Sequence, residues 1–174
     1  LILYLNFFCC RRVWGYHPTY WCLRCRIAGN GEEKEKLLAL SKTLQIENKI
    51  HFLGAVDPDE MPALIAEHDL FVLCSVSEGR SNAVYEAMAC GKSIIATDIP
   101  GTKEQISHGQ TGFLFPLEDS PERFIELVKI LEEQRGLAYQ LGKNAHQWII
   151  DNGFTWGATK ENYLTQFRNV LGME

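Results

Sequence analysis

At 174 residues the chain has the length of one ordinary globular domain. Its 46% apolar and 22% charged content excludes a disordered chain, and a formal net charge of -5 argues against nucleic acid as the main partner. The charge is uneven: residues 1–26 hold Arg11, Arg12, Arg24 and Arg26 and no acid, so the remainder of the chain is strongly acidic.

Residues 1–10 are apolar and are followed by Arg11-Arg12. Such a run is about half of what a membrane-spanning helix needs. A secretory leader would carry its positive charge ahead of the apolar run, not behind it. With no initiating Met, the chain reads as the tail of a longer protein cut near a domain boundary, a truncated membrane anchor being the alternative. Residues 1–19 are therefore set apart as an N-terminal segment, and residues 20–174 are expected to form the domain.

The six cysteines are Cys9, Cys10, Cys22, Cys25, Cys74 and Cys90. Cys74 in an apolar strand and Cys90 in an apolar helix read as buried thiols, which behave as small hydrophobes. Cys22 and Cys25 have the spacing of half a zinc site. Only Cys9, Cys10 and His17 are near enough in sequence to complete it, so free thiols in a reducing cytoplasm are the better reading and no metal is expected.

From residue 20 short apolar runs alternate with helical segments. A strand over 21–28 ends at Gly29-Asn30-Gly31, and an amphipathic helix over 32–44 carries Leu37, Leu40 and Leu44 at helical spacing. A strand over 49–53 ends at Gly54. Asp57-Pro58-Asp59-Glu60 reads as a helix start before a short helix over 61–68. Strands over 70–74 and 93–97 bracket a helix that begins near Asn82. A loop over 98–102, a short helix through Ile106, and a strand over 113–115 follow. Ser120-Pro121-Glu122 opens a helix with Phe124, Leu127, Val128 and Leu131 as its stripe. Two more helices are predicted over about 136–151 and 155–171. Strands alternating with helices predict an α/β domain with a doubly wound parallel sheet, Rossmann-like, whose ligands bind beyond the carboxyl ends of the strands.

The chemistry concentrates between the strands at 70–74 and 93–97. That order places a helix N-terminus, with its free N–H groups and positive dipole end, at the carboxyl edge of the sheet, where phosphate binds well. Glu78 precedes the helix and Glu86 lies within it. A diphosphate at the helix mouth would have a carboxylate on each side, the layout a nucleotide-sugar needs. The plain alternative is that Glu78 caps the helix and Glu86 is solvated. Against it, Glu86 stands among Val84, Ala87, Met88 and Ala89, where a carboxylate is costly without hydrogen-bond donors. Gly29-Asn30-Gly31 falls short of a dinucleotide fingerprint because Lys34 occupies the place of its third glycine, and the acidic helix start behind it repels pyrophosphate. A tight turn that lets a ligand approach is the better reading.

Residues 78–97, EGRSNAVYEAMACGKSIIAT, strongly resemble the signature of retaining glycosyltransferases of family 4, with the GT-B architecture: two glutamates separated by seven residues. The resemblance extends to Ile27-Ala28-Gly29-Asn30-Gly31, His51-Phe52-Leu53-Gly54, Pro100-Gly101-Thr102-Lys103-Glu104, Gly109-Gln110-Thr111-Gly112-Phe113-Leu114 and Phe154-Thr155-Trp156, and covers about 20–172. It implies the C-terminal, donor-binding half of such an enzyme. Glu78 would contact hydroxyls of the transferred sugar as the catalytic-site acid, and Glu86 would bind the donor ribose. Backbone N–H groups of Asn82, Ala83 and Val84 would hold the diphosphate and take up charge as the leaving group departs. Phe52, Leu53 and Gly54 would lie against the base, and Gly29 and Gly31 would permit close approach. Glu104 is a further candidate, or a cap of its own helix. Arg80 would either restore positive charge beside the diphosphate or face solvent.

Residues 1–20 do not show the Arg- and Lys-bearing segment that normally precedes this region in the family. The expected partners are a UDP- or GDP-type nucleotide-sugar, an N-terminal acceptor-binding domain of the same protein, and a glycan or lipid-linked acceptor. No nucleic acid and no resident cofactor are expected. The implied activity is hexosyl transfer in polysaccharide biosynthesis, with this piece inactive alone. The implied location is the cytoplasm, with the inner membrane face open to the full-length protein. A non-catalytic nucleotide-sugar module and a sugar-nucleotide epimerase of related architecture are the alternatives. Donor binding without turnover by the full-length protein marks the first, and alteration of the donor without an acceptor marks the second.

Overall fold

The computed structural model describes residues 2–8, 22–117 and 121–171. Expectations placed on Cys9, Cys10, Arg11, Arg12, His17, Trp21 and the Ser120 cap lie outside these residues.

Six strands form one sheet: β1 (Ile2–Phe8), β2 (Cys22–Ala28), β3 (Ile50–Gly54), β4 (Leu70–Leu73), β5 (Ser93–Thr97) and β6 (Phe113–Phe115), in the order β3-β2-β1-β4-β5-β6. β2 pairs parallel with β3, and β4, β5 and β6 pair parallel with one another. β1 lies between β2 and β4 and is antiparallel to both. Five strands therefore run one way, as the strand–helix alternation requires, and one runs against them. The apolar run at the start of the chain, given no structural role by its pattern, supplies that central strand. A continuous apolar run suits a strand with sheet on either side.

Seven helices connect and cover the sheet among the described residues: α1 (Lys34–Thr43), α2 (Met61–Ala66), α3 (Asn82–Ala89), α4 (Pro100–Lys103), α5 (Pro121–Glu133), α6 (Arg135–Asp151) and α7 (Trp156–Leu171). Along β4 and β5 successive side chains point to opposite faces, and every residue of both is buried. Phe71, Leu73, Ile94 and Ala96 join Val84, Ala87 and Met88 of α3 on one face, with Ala145 and Ile149 of α6. Leu70, Val72 and Ile95 join Leu127 and Leu131 of α5 and Leu141 of α6 on the other. The sheet is thus doubly wound and Rossmann-like.

Several local expectations are corrected. α4 begins at Pro100, inside the stretch expected as loop, and ends at Lys103, short of Ile106. The Asp57 carboxylate accepts the Asp59 N–H at 2.9 Å, so the acidic stretch closes a turn ahead of α2 without capping it. Cys74 falls one residue past β4 and is exposed, and Cys90 is only half-buried at the end of α3. Cys25 is buried instead, and burial pushes its pKa up to about 12. Leu40 and Leu44 of the α1 stripe are 50% and 56% exposed. α1 packs over the sheet's β3 edge, where an apolar cavity of about 70 Å³ remains between it and Ile27, Ile50 and Phe52. Among the described residues no helix is long and apolar enough to cross a membrane.

Candidate functional site

Because β2, β3, β4 and β5 run the same way, the loops after Ala28, Gly54, Leu73 and Thr97 gather at one edge of the sheet. α3 opens at that edge. Val84, Ala87 and Met88 are fully buried, which anchors the helix to the sheet by three apolar contacts on one stripe. Asn82 and Glu86, four residues apart, occupy the outward face and are exposed. Helical side chains lean toward the N-terminus, so Glu86 covers the first turn. Ser81 takes the N-cap position in extended conformation (φ -77, ψ 117), and no side chain caps the helix. The first helical bond runs from the Tyr85 N–H to the Ser81 carbonyl at 3.3 Å. The N–H groups of Asn82, Ala83 and Val84 precede it and have no acceptor within the helix.

The Glu86 carboxylate has no hydrogen-bond or ion-pair partner among the described residues, and desolvation raises its pKa above the ordinary carboxylate value. The residue is nonetheless exposed, so the apolar neighbours in its sequence do not enclose it. A carboxylate that is partly desolvated and without a protein partner can accept hydroxyl donors from a ligand.

Glu78 is half-buried and oriented. The Ser75 hydroxyl donates to its Oε1 at 2.7 Å, and the Thr97 hydroxyl donates to the Ser75 carbonyl at 2.6 Å. The end of β5 thereby steadies the loop that carries Glu78. Glu78 is not the cap of α3. Arg80 is exposed and donates from Nε to Glu104 Oε2 at 3.1 Å. Glu104 stands at the C-terminal end of α4, so it pairs with Arg80 and does not cap that helix at its start. The Thr102 hydroxyl fills that role, accepting the Ile99 N–H at 3.2 Å.

On the other side of β1, the Gly29 N–H donates to the Gly54 carbonyl at 2.7 Å and ties the ends of β2 and β3 together. Gly29 (φ +118) and Gly54 (φ +73) both occupy backbone conformations that glycine adopts without strain. Gly31 has open space where a Cβ would stand, so its small size meets no packing demand there. Phe52 packs into the layer beneath α1, while Leu53 on the opposite face is 38% exposed. Of the three residues expected against a base, Phe52 is therefore turned into that layer and Leu53 is the one with an exposed side chain.

Two groups of residues thus share one sheet edge: Glu78, Arg80, Asn82, Ala83, Val84 and Glu86 on one loop and helix, and Gly29, Gly31, Leu53 and Gly54 on the tied ends of β2 and β3. Sequence reasoning missed Ser75, Thr97, Gly101 and Gln105. A Cβ on Gly101 would overlap the Gly79 carbonyl, so the first turn of α4 lies directly on the Glu78-Gly79 backbone. Gln105 is buried and makes two hydrogen bonds to the Ser81 backbone. A polar residue ahead of apolar Ile106 was the only available signal, and no spacing rule links it to Ser81.

The profile of the family described as "Glycosyl transferases group 1" matches residues 22–148. The chain is 33% identical over 145 residues to N-acetyl-alpha-D-glucosaminyl L-malate synthase of Bacillus anthracis, an alignment covering 83% of this chain and 37% of that protein. It is 37% identical over 122 residues to N,N'-diacetylbacillosaminyl-diphospho-undecaprenol alpha-1,3-N-acetylgalactosaminyltransferase of Campylobacter jejuni, covering 70% of this chain and 31% of that one. Among solved structures it superposes on Anabaena Alr3699/HepE in complex with UDP with a TM-score of 0.68 at 27% identity, covering 84% of this chain and 40% of HepE. The same Anabaena protein has also been crystallised with UDP-glucose, and that structure superposes with a TM-score of 0.60 at 28% identity over 70% of this chain and 34% of HepE. The chain therefore spans well under half the length of each of these relatives.

Proposed function

The chain belongs to the group 1 glycosyl transferases, and from that premise we propose that it is the donor-binding part of a retaining glycosyltransferase that moves a sugar from a UDP- or GDP-linked donor to a glycan or lipid-linked acceptor. The observation that carries this reading is the N-terminus of α3, uncapped by any side chain and flanked by Glu78 and Glu86. The diphosphate docks on the N–H groups of Asn82, Ala83 and Val84, where amide donors and the helix dipole stabilise charge as the sugar leaves. The Glu86 carboxylate accepts hydrogen bonds from the ribose hydroxyls. Glu78, held by Ser75, accepts them from the sugar. Leu53 and the Gly54 backbone lie toward the base, and the Gly29 turn lets the donor approach.

The UDP and UDP-glucose complexes of Alr3699/HepE support a nucleotide-sugar as the ligand. The diphospho-undecaprenol substrate named for the Campylobacter relative supports a lipid-linked acceptor. Acceptor binding falls to an N-terminal domain of the same protein, so the present chain binds donor without turning it over. These roles draw on no metal or resident cofactor, and the reaction takes place in the cytoplasm, with the full-length protein working at the inner membrane face.

Titration of UDP, GDP and their sugars into the wild type, Glu86→Ala and Glu78→Ala tests the assignment. Losing one set of charge-assisted hydrogen bonds, Glu86→Ala weakens all nucleotides about tenfold or more. Glu78→Ala keeps the affinity for free nucleotide and loses discrimination among sugars. Equal heats for all three proteins would overturn both roles.

A further inference from the structure

Resting on the donor reading above, we propose that Gln105 is a positioning residue for the diphosphate: it grips the Ser81 peptide so that the three amides that follow converge on one anion. Gln105 lies outside the signature, on the segment after α4, and is 2% exposed. Its side-chain carbonyl accepts the Ser81 N–H at 2.9 Å, and its side-chain amide donates to the Ser81 carbonyl at 2.9 Å. Only this orientation of the amide serves both partners. The Ser81 carbonyl also accepts the first helical bond of α3, so the peptide held by Gln105 is the one from which the helix starts.

The mode of attachment matters. A hydroxyl or carboxylate at the N-cap would occupy the N–H groups of the first turn. Gln105 holds the same place from the side and fills none of them. It is itself anchored: its N–H donates to the Thr102 carbonyl at 3.1 Å. Thr102 is fully buried, and its hydroxyl donates to the Thr97 carbonyl at the end of β5. Gly101 lies against the Glu78-Gly79 backbone with no room for a side chain. β5, α4 and Gln105 therefore form a rigid support for the loop between Glu78 and Asn82. Donors fixed before the ligand arrives bind it without the cost of ordering them.

A ¹⁵N-labelled chain allows both ends of this chain of contacts to be read: hydrogen exchange of the Ser81 amide without ligand, and UDP affinity from the amide shifts of residues 82–84. In Gln105→Leu, which leaves the buried Ser81 N–H unpaired and its carbonyl with the Tyr85 N–H alone, Ser81 exchange speeds up and UDP binds about tenfold more weakly. Gln105→Glu reports the pair of hydrogen bonds separately from packing. Neutral glutamic acid offers one acceptor and one donor, whereas its carboxylate cannot donate to the Ser81 carbonyl. Burial at this position raises a carboxyl's pKa above the ordinary glutamate value, so its UDP dissociation constant relative to wild type falls on going from about pH 7.5 to about pH 5. Should Gln105→Leu not fold, this pH-dependent ratio decides alone. A wild type that binds neither UDP nor GDP overturns the donor reading and the positioning role with it. A wild type that binds, with Gln105→Leu within about twofold of it or a Gln105→Glu ratio flat in pH, overturns the positioning role and leaves the donor reading standing.

Discussion

Glu86 carries opposite demands for stability and for binding. Desolvation raises its folded-state pKa, so the folded chain holds this proton more tightly than the unfolded one. Its contribution is therefore most favourable at low pH and is lost as pH rises through the unfolded carboxylate range to the raised folded value. Glu86→Gln should match or exceed the wild-type melting temperature at neutral pH and still bind UDP more weakly, read by thermal melts and calorimetry on the same samples. In the wild type, UDP affinity should fall as pH drops through the raised Glu86 pKa, because a protonated carboxyl accepts fewer hydroxyl bonds. Arg80 offers a second test. Its exposed ion pair with Glu104 contributes little stability, about 0–1 kcal/mol, but it engages a cation near the α3 N-terminus. Glu104→Ala should leave the melting temperature nearly unchanged and tighten UDP binding by about two- to fivefold at low salt, an effect that fades as salt screens the freed charge.

At the scale of elements, α3 is the piece whose placement everything else serves. Its C-terminal end closes with the Gly91 N–H on the Met88 carbonyl at 2.9 Å and the Lys92 N–H on the Ala87 carbonyl at 3.0 Å, with Gly91 at φ +65. That glycine turn lets the chain reverse directly into β5. α6 crosses this turn closely enough that a Cβ on Gly142 would overlap the Gly91 carbonyl. Tyr85 of α3 stacks on Phe154 at 4.9 Å, and Phe154 on Trp148 of α6 at 5.3 Å, which closes the outer side of the pair. Gly142→Ala should cost about 1–3 kcal/mol, seen as a lower urea midpoint, because neither backbone can yield. The existence and type of nearly every element were legible from apolar spacing, as were the signature helix and its two carboxylates. α4 was misplaced because a single turn of helix is too short to show a periodicity, and the bonds that set its start, from Thr102 to the Ile99 N–H and the Thr97 carbonyl, are local side-chain bonds that apolar spacing does not report.

Across the whole molecule, one sheet carries two apolar layers. Met88 lies in the layer beneath α3 and Ile95 in the layer beneath α5, both fully buried. Met88→Ala and Ile95→Ala should each cost about 2–5 kcal/mol, with a lower urea midpoint at unchanged slope, because both layers fail with the shared sheet. The amino-acid sequence alone determined the α/β class, the signature carboxylates, the helix mouth between β4 and β5, and the family they resemble, because these depend on spacings within about twenty residues. The antiparallel course of β1, the pairing of Arg80 with Glu104, the exposure of Cys74 and the grip of Gln105 on Ser81 were decided only by tertiary structure. Each brings together groups that are distant in sequence or turns on where a strand stops, and their worth comes from burial and hydrogen-bond geometry that exist only once the chain is packed.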